Sequence, residues 1–274
     1  LAFKLGHYDK AKGENVTDPN AKMSDVRLRQ ALAYGINVEE IAQAFYFGLR
    51  QEATSSIPPV FKKYFPKDLQ GYPYNPEKAK QLLDEAGYKD VDGDGIRENK
   101  DGSKLQINFA ARTRDAANES LVQQYLLWWK EIGLDVQLYT GRTIESNNFY
   151  EKIQADDPEI DVFSGGWGVG YDPNPANLFG ETAKFNFSRY VNEEGTNIIK
   201  KIASTEAFDE AKNVEFYKEW QAYAKDKAFI IPTLVGDSVT AVNKRVKYYD
   251  TSIATKDSKA QLYQLEVTSD TPAK

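Results

Sequence analysis

Cysteine is absent from the 274 residues, and histidine occurs once, at His7. The first absence excludes disulfides and thiol chemistry and leaves the compartment open. The second removes most schemes in which an imidazole activates a serine, and any zinc site that needs several histidines. Long apolar runs are missing too. The longest lies around Tyr125–Trp129, far short of a membrane span. Basic charge does not predominate: 35 Lys and Arg against 41 Asp and Glu leave −6, which argues against a nucleic-acid surface. Leu1–Leu5 is too short for a signal peptide and lacks its flanks. The expectation is a cytosolic protein, or a mature or truncated piece of an exported one.

What is present is an ordinary globular composition, 41% hydrophobic and 28% charged, long enough for one large domain or two small ones. LAFKLGH opens as a strand, and AKGENVTDPNAK follows as a polar loop. Ser24 or Asp25 can cap a helix carrying Val26, Leu28, Ala31, Leu32 and Ala33; Asn37 caps a second that stops near Gly48. Ser55-Ser56-Ile57-Pro58-Pro59 forbids helix, so a looped passage runs to Tyr74. Asn75-Pro76 starts a helix with an Ala79, Leu82, Leu83, Ala86 stripe, closed by Gly87. LQINFAA is a strand, about 116–132 a long helix ended by Gly133, and LDVQLY a returning strand. IDVFSGGWG reads as a strand that runs into glycines. Asp209 opens the last long helix, and FIIPTLV, SVTAVNKRV and AQLYQLEV read as closing strands. Alternating helices and strands predict an α/β fold, a mixed sheet flanked by helices.

One stretch suggests a metal. In KDVDGDGIRENKDG, Asp90, Asp92, Asp94, Ile96, Glu98 and Asp101 fall at calcium-loop positions one, three, five, seven, nine and twelve. Aspartate at position twelve is a shorter ligand than glutamate. The preceding helix ends at Gly87 and a strand follows, whereas an EF-hand needs a helix on each side. The competing reading is a D-G-D-G turn joining helix to strand. Structural calcium is therefore possible here, and no cofactor is required.

Several segments, in order, resemble the C-terminal lobe of the family 5 extracellular solute-binding proteins, the peptide receptors of ABC importers. They are MSDVRLRQALAYGINVEEI, SSIPP, YPYNPEKAKQLLDEAGY, WWKEIGLDVQL, DVFSGGWGVGYDPNP and FIIPTLV, spanning about Leu1 to Val239. YPYNPEKAKQLLDEAGY is the most specific of them. The resemblance implies one lobe of a two-lobed periplasmic-binding-protein-like (class II) fold. Residues 1–274 would be the ligand-binding lobe, with about 240–274 returning toward an N-terminal lobe missing from this chain. It further implies a monomeric, non-enzymatic receptor with three partners: an oligopeptide, the ABC permease transmembrane subunits and the missing lobe. Its place would be the extracellular face of the membrane, lipid-anchored through an N-terminal region absent here.

The same resemblance puts the ligand at Ser164, Gly165, Gly166, Trp167, Gly168, Val169, Gly170, Tyr171 and Asp172. Glycines let a ligand backbone approach, and an edge strand offers unpaired N–H and C=O groups to an extended peptide. Main-chain bonds from Gly166 and Gly168, with Trp167 as a wall, are what it implies. Against this stands a glycine-rich turn over a buried tryptophan. Relatives that grip a free amino terminus carry an aspartate three residues after the tryptophan; here Gly170 stands there and Asp172 follows two later. Where some relatives have an arginine, this chain has Ser164. Arg112 and Arg114, between a strand end and a helix start, are further candidates, as are Asn186 and Tyr190, which match the family's N-x-x-x-Y segment; a solvated loop and loop ordering are the respective alternatives. Oligosaccharide or another small solute is the alternative ligand, and a calcium-dependent module or a glycoside hydrolase the alternative class.

Overall fold

The computed structural model describes residues 1–65, 68–168, 170–236, 241–249, 263 and 265–271. The chain forms two compact units, Leu1–Val235 and Gly236–Lys274. In the first, β1 (Ala2–Phe3) leads to the hairpin β2 (Gly6–Asp9) and β3 (Glu14–Thr17). Helix α1 (Val26–Tyr34) is capped by Asp25, whose carboxylate accepts the Arg27 N–H; α2 (Val38–Glu40) is capped by Asn37 and runs into a π-turn over Ile41–Phe45. After β4 (Arg50–Glu52) comes α3 (Pro76–Ala86), which buries Ala79, Leu82, Leu83 and Ala86 and stops at Gly87 with φ +91°. Then β5 (Gln106–Ala111), α4 (Ala116–Glu131), β6 (Asp135–Leu138), α5 (Ser146–Gln154) and β7 (Val162–Ser164) form successive crossovers. The short α6 (Ala176–Phe179), α7 (Glu193–Ile202), α8 (Glu210–Lys227) and β8 (Leu234–Gly236) follow. In the second unit β9 (Val246–Lys247) pairs antiparallel with β10 (Glu266–Val267).

The central sheet has the order β1-β7-β5-β6, with β5 parallel to β6 and β7 and β1 antiparallel to β7, so it is mixed as expected. Side chains alternate across its faces. Ile107 and Phe109 enter the larger core, where Phe109 meets Trp129 edge-on at 5.2 Å and Tyr125 lies stacked on Trp129 at 5.3 Å. The Trp129 indole N–H reaches the Leu32 carbonyl at 2.9 Å, which fixes α4 to α1. Ala110 and Phe163 face a smaller cluster with Phe149, Ile153 and Phe187. Both faces are therefore covered, the usual condition of parallel strands.

Four expectations change. The polar loop after LAFKLGH contains β3: Asn15 is buried, and its amide donates to the carbonyls of Gly180, Glu181 and Ala183. The opening strand divides into β1 and β2. FIIPTLV is not one strand: Ile230 bridges Ala2 and Leu1 pairs with Ile231, but Pro232 has no N–H to continue the ladder, and β8 starts at Leu234. Helices α5 and α7 stand where no element was expected. SVTAVNKRV and AQLYQLEV lie partly outside the described residues; among those described, Val246 and Glu266–Val267 are strand.

Candidate ligand-binding site

The parallel strands β5 and β7 end side by side, with Ala111 opposite Ser164. Ligands of open α/β sheets gather outside such carboxyl ends. Strand β7 is not an edge strand, since β1 and β5 flank it, which corrects one expectation. The chain leaves the sheet at Ser164 instead. Among the described residues, no backbone-to-backbone hydrogen bond is made by Gly165, Gly166, Trp167 or Gly168. A Cβ at Gly166, Gly168 or Gly170 would meet nothing within 4 Å, and none of these glycines has a left-handed φ. Their backbone geometry does not require glycine. What the missing side chains provide is open space beside the main chain. Val169 lies outside the described residues.

Trp167 is half-buried and packs against both apolar clusters, 6.1 Å from Phe163 and 6.2 Å from Phe187. Its indole N–H donates to the Phe185 carbonyl at 3.3 Å. The residue thus supports the glycine run as well as walling it. Asp172 is exposed; its carboxylate accepts the Asn174 N–H at 3.0 Å and lies 3.5 Å from the Tyr217 hydroxyl. Burial, and then Asp172 itself, pushes the Tyr217 hydroxyl above its ordinary pKa, so it remains a donor toward that carboxylate. Tyr171 is exposed beside it.

Arg112 follows directly on β5, one position beyond the Ala111–Ser164 pair. Its guanidinium lies over the Tyr150 ring at 5.2 Å, its buried Nε has no partner among the described residues, and its carbonyl accepts from Asn118. Arg114 is exposed. Asn186 is wholly buried: its amide donates to the carbonyls of Phe179 and Tyr190, and its oxygen accepts from Ser188. Tyr190 stacks on Phe229 at 5.2 Å. Both residues have the bonds of loop anchors. Among the described residues the structure places 164–168, 170–172 and Arg112 beyond the β5 and β7 ends, and sets Asn186 and Tyr190 into hydrogen-bonded and stacked packing.

A cavity of about 190 Å³ opens beside Gly165, Gly166 and Trp167. Its other walls come from Ser55, Ser56 and Pro58, from Leu178 and Phe179 of α6, and from Ile230–Val235. The sequence pointed to the glycines and Trp167 as site residues but not to Ser55, Ser56, Pro58 or Leu178. The one available signal was the Pro-x-Pro before it, which starts a short helix. Sequence reasoning also missed a buried ion group. Arg189, 2% exposed, donates to Asp156 at 2.7 Å, and Lys4 pairs with the same carboxylate at 2.5 Å.

The acidic loop gathers fewer ligands than its motif suggested. Carboxylate oxygens of Asp90, Asp92 and Glu98 lie within 4.8 Å of one another. Asp94 and Asp101 are not of that group; they accept the N–H groups of Ile96 and Ser103. Asp90 accepts from both Gly93 and Gly95, Asp92 from Asp94, and Glu98 from Val91. The loop satisfies its own carboxylates, as a turn does. It is tied down by Arg97, which bonds Asp84 and the carbonyls of Tyr88 and Ile132, and by Lys100 on Asp25.

Comparison with known proteins settles the lineage. The model of the bacterial extracellular solute-binding proteins, family 5 Middle, matches residues 5–188. The chain belongs to the family 5 extracellular solute-binding proteins. Over 249 residues it is 35% identical to the oligopeptide-binding protein OppA of Lactococcus lactis subsp. cremoris (strain SK11), covering 90% of this chain and 41% of the relative. The dipeptide-binding protein of Escherichia coli (strain K12) is 30% identical over 232 residues, 83% of this chain and 40% of the relative. The structure of lactococcal OppA complexed with an endogenous peptide in the closed conformation superposes with a TM-score of 0.83 at 34% identity, covering 86% of this chain and 44% of that one. The family 5 chain thus spans about two fifths of the length of these relatives. Family 5 members are extracellular or periplasmic binding receptors without enzymatic activity, and the mixed α/β architecture is that of their periplasmic-binding-protein-like fold.

Proposed function

We propose that residues 1–274 are the C-terminal ligand-binding lobe of an oligopeptide receptor for an ABC importer. The observation that carries this reading is the glycine run beyond β7, with open space at Gly166 and Gly168 beside an apolar cavity. An extended peptide can pair its main chain with such a run whatever its side chains, which suits a receptor for mixed sequences. Gly166 and Gly168 supply the main-chain bonds, and Ser164, Gly165 and Trp167 the wall. Tyr171 and Asp172 close the far end, and Arg112, with Arg114 outside it, brings positive charge to the β5 end. With Gly170 where an ammonium-binding aspartate would stand, the demand for a free peptide amino terminus is relaxed. Asp172 is the nearest carboxylate in sequence.

In this reading a second lobe of the same protein closes over the peptide by a hinge, and residues from about 240 return toward it. The closed monomer delivers its cargo to the permease transmembrane subunits from the extracellular face, held there by a lipid anchor. Enzymatic turnover has no part in it. Support comes from family membership and from the likeness to peptide-complexed lactococcal OppA. Mass spectrometry of material copurifying with the full-length protein tests it: peptides are expected, and oligosaccharide alone would overturn the choice of ligand. Half the cleft lies outside this chain in that account, so residues 1–274 alone should bind peptides weakly or not at all. Submicromolar binding by this chain in a calorimeter would contradict the two-lobe requirement.

A further inference from the structure

Trp167 leans on one loop. Its indole N–H donates to the Phe185 carbonyl, and its ring lies 6.2 Å from that of Phe187. That loop is gripped by charge. The Phe187 carbonyl accepts from the Lys4 ammonium at 3.1 Å, and Lys4 also donates to the Ile153 carbonyl and to Asp156. Arg189 donates to the same carboxylate, to the carbonyls of Lys184 and Gln154 and to the Asn15 side chain. Lys4 and Arg189 therefore hold the backbone at Lys184 and at Phe187, on either side of the contacts with Trp167.

This group is hard to explain as packing alone. Two cations share one carboxylate, and none of the three side chains is more than 11% exposed. A buried ion pair often stabilises a fold no better than apolar residues of similar volume. The backbone is strained as well: Asp156 and Arg189 have φ of +56° and +59°, left-handed values that only glycine adopts freely. Such strain persists where the surroundings over-determine the conformation, and it collects at ligand sites. What the charges supply is geometry, since charged donors bind carbonyls more strongly than neutral ones. The hairpin β2–β3 extends the grip. Asn15 takes the carbonyls of Gly180, Glu181 and Ala183, and the Thr17 hydroxyl accepts the Val191 N–H at 2.7 Å.

We propose that Lys4, Asp156 and Arg189 are positioning residues, a buried ion group that fixes the loop 184–189 and so sets Trp167 beside the glycine run before a ligand arrives. They act on the ligand only through Phe185, Phe187 and Trp167. The inference rests on the receptor reading above.

Fluorine NMR of the full-length protein labelled with 5-fluorotryptophan tests it, the Trp167 signal being assigned by its loss in Trp167→Phe. Lys4→Met keeps a side chain of similar length but removes the charge and the bond to Phe187. It should displace the Trp167 signal of the unliganded protein while those of Trp128, Trp129 and Trp220 stay in place. In the calorimeter it should weaken peptide binding by about 3- to 10-fold, the cost of ordering a side chain no longer held in advance. Arg189→Lys keeps the charge but gives up the fork that reaches Asn15 and Lys184, and should move the same signal by less. Thermal melting reports whether each variant is folded. A merely structural ion group would lower the melting temperature and leave the Trp167 signal where it was. An unmoved signal in folded Lys4→Met, or a moved one with wild-type affinity, overturns the proposal and leaves the receptor reading standing. Should Lys4→Met not fold, the same two readings in Arg189→Lys decide. A wild-type protein that binds no peptide overturns the receptor reading and the proposal with it.

Discussion

Two glycine-rich stretches of this chain look alike on paper and differ in what their glycines do. In the acidic loop, Gly93, Gly95 and Gly102 have φ of +82°, +88° and +81°, values that a side chain would strain. The carboxylates around them accept the loop's own N–H groups. In the run beyond β7, Gly166, Gly168 and Gly170 have no left-handed φ and face open space. Glycine in the first stretch solves a problem of chain geometry. In the second it keeps a length of main chain accessible. The difference separates glycines that shape a turn from glycines that leave the main chain open more sharply than composition does.

Substitutions can break that comparison. Gly166→Val or Gly168→Val should lower peptide affinity of the full-length protein by about 100-fold, the worth of about two main-chain hydrogen bonds. The melting temperature should move little, because a Cβ at either position meets nothing within 4 Å. Equal loss of stability and affinity would erase the distinction. Gly95→Ala should act the other way, costing about 1–2 kcal/mol in urea unfolding through its positive φ, with affinity unchanged.

Smaller and pH-dependent is the tie between the acidic loop and α1. Burial opposes the charge on Asp25, but Arg27 and Lys100 outweigh it and hold the carboxyl well below the usual carboxylate range. The unfolded chain therefore takes up this proton first as pH falls. The increment is full above about pH 3.9, the ordinary aspartate value, and is lost as pH drops through the lower folded value. Asp25→Asn should remove roughly 1 kcal/mol of stability at neutral pH and flatten the acid limb of the unfolding curve. The smallest effect concerns calcium. With Asp90, Asp92 and Glu98 already accepting backbone N–H groups, adding calcium or a chelator should leave the melting temperature where it is. A calcium-dependent rise would make the loop a structural metal site.

Legibility in the sequence followed the locality of the signal. Helices α1, α3 and α8 announced themselves through Asp25, Asn75-Pro76 and Asp209, and α4 through the Gly133 that ends it, beside regular apolar stripes. The hairpin β2–β3 did not, because its inward residue is Asn15, satisfied by distant carbonyls rather than by apolar contact. Helix α5 buries only Phe149 and Ile153 among polar neighbours, too thin a stripe to register. At the site, the glycine run was visible through its resemblance to a family. The cavity was not, since Pro58, Leu178, Ile231 and Leu234 meet only once the chain is folded. The acidic loop is a strong local motif whose carboxylates accept the loop's own N–H groups, while those of Asp90, Asp92 and Glu98 lie within 4.8 Å of one another.

The most direct test of the account is the affinity of the full-length protein for one short apolar peptide, measured by calorimetry with wild-type and Gly166→Val proteins of equal melting temperature. The account predicts tight binding by the first and a loss of about 100-fold in the second. Equal affinities would mean that the main chain beyond β7 does not hold the ligand.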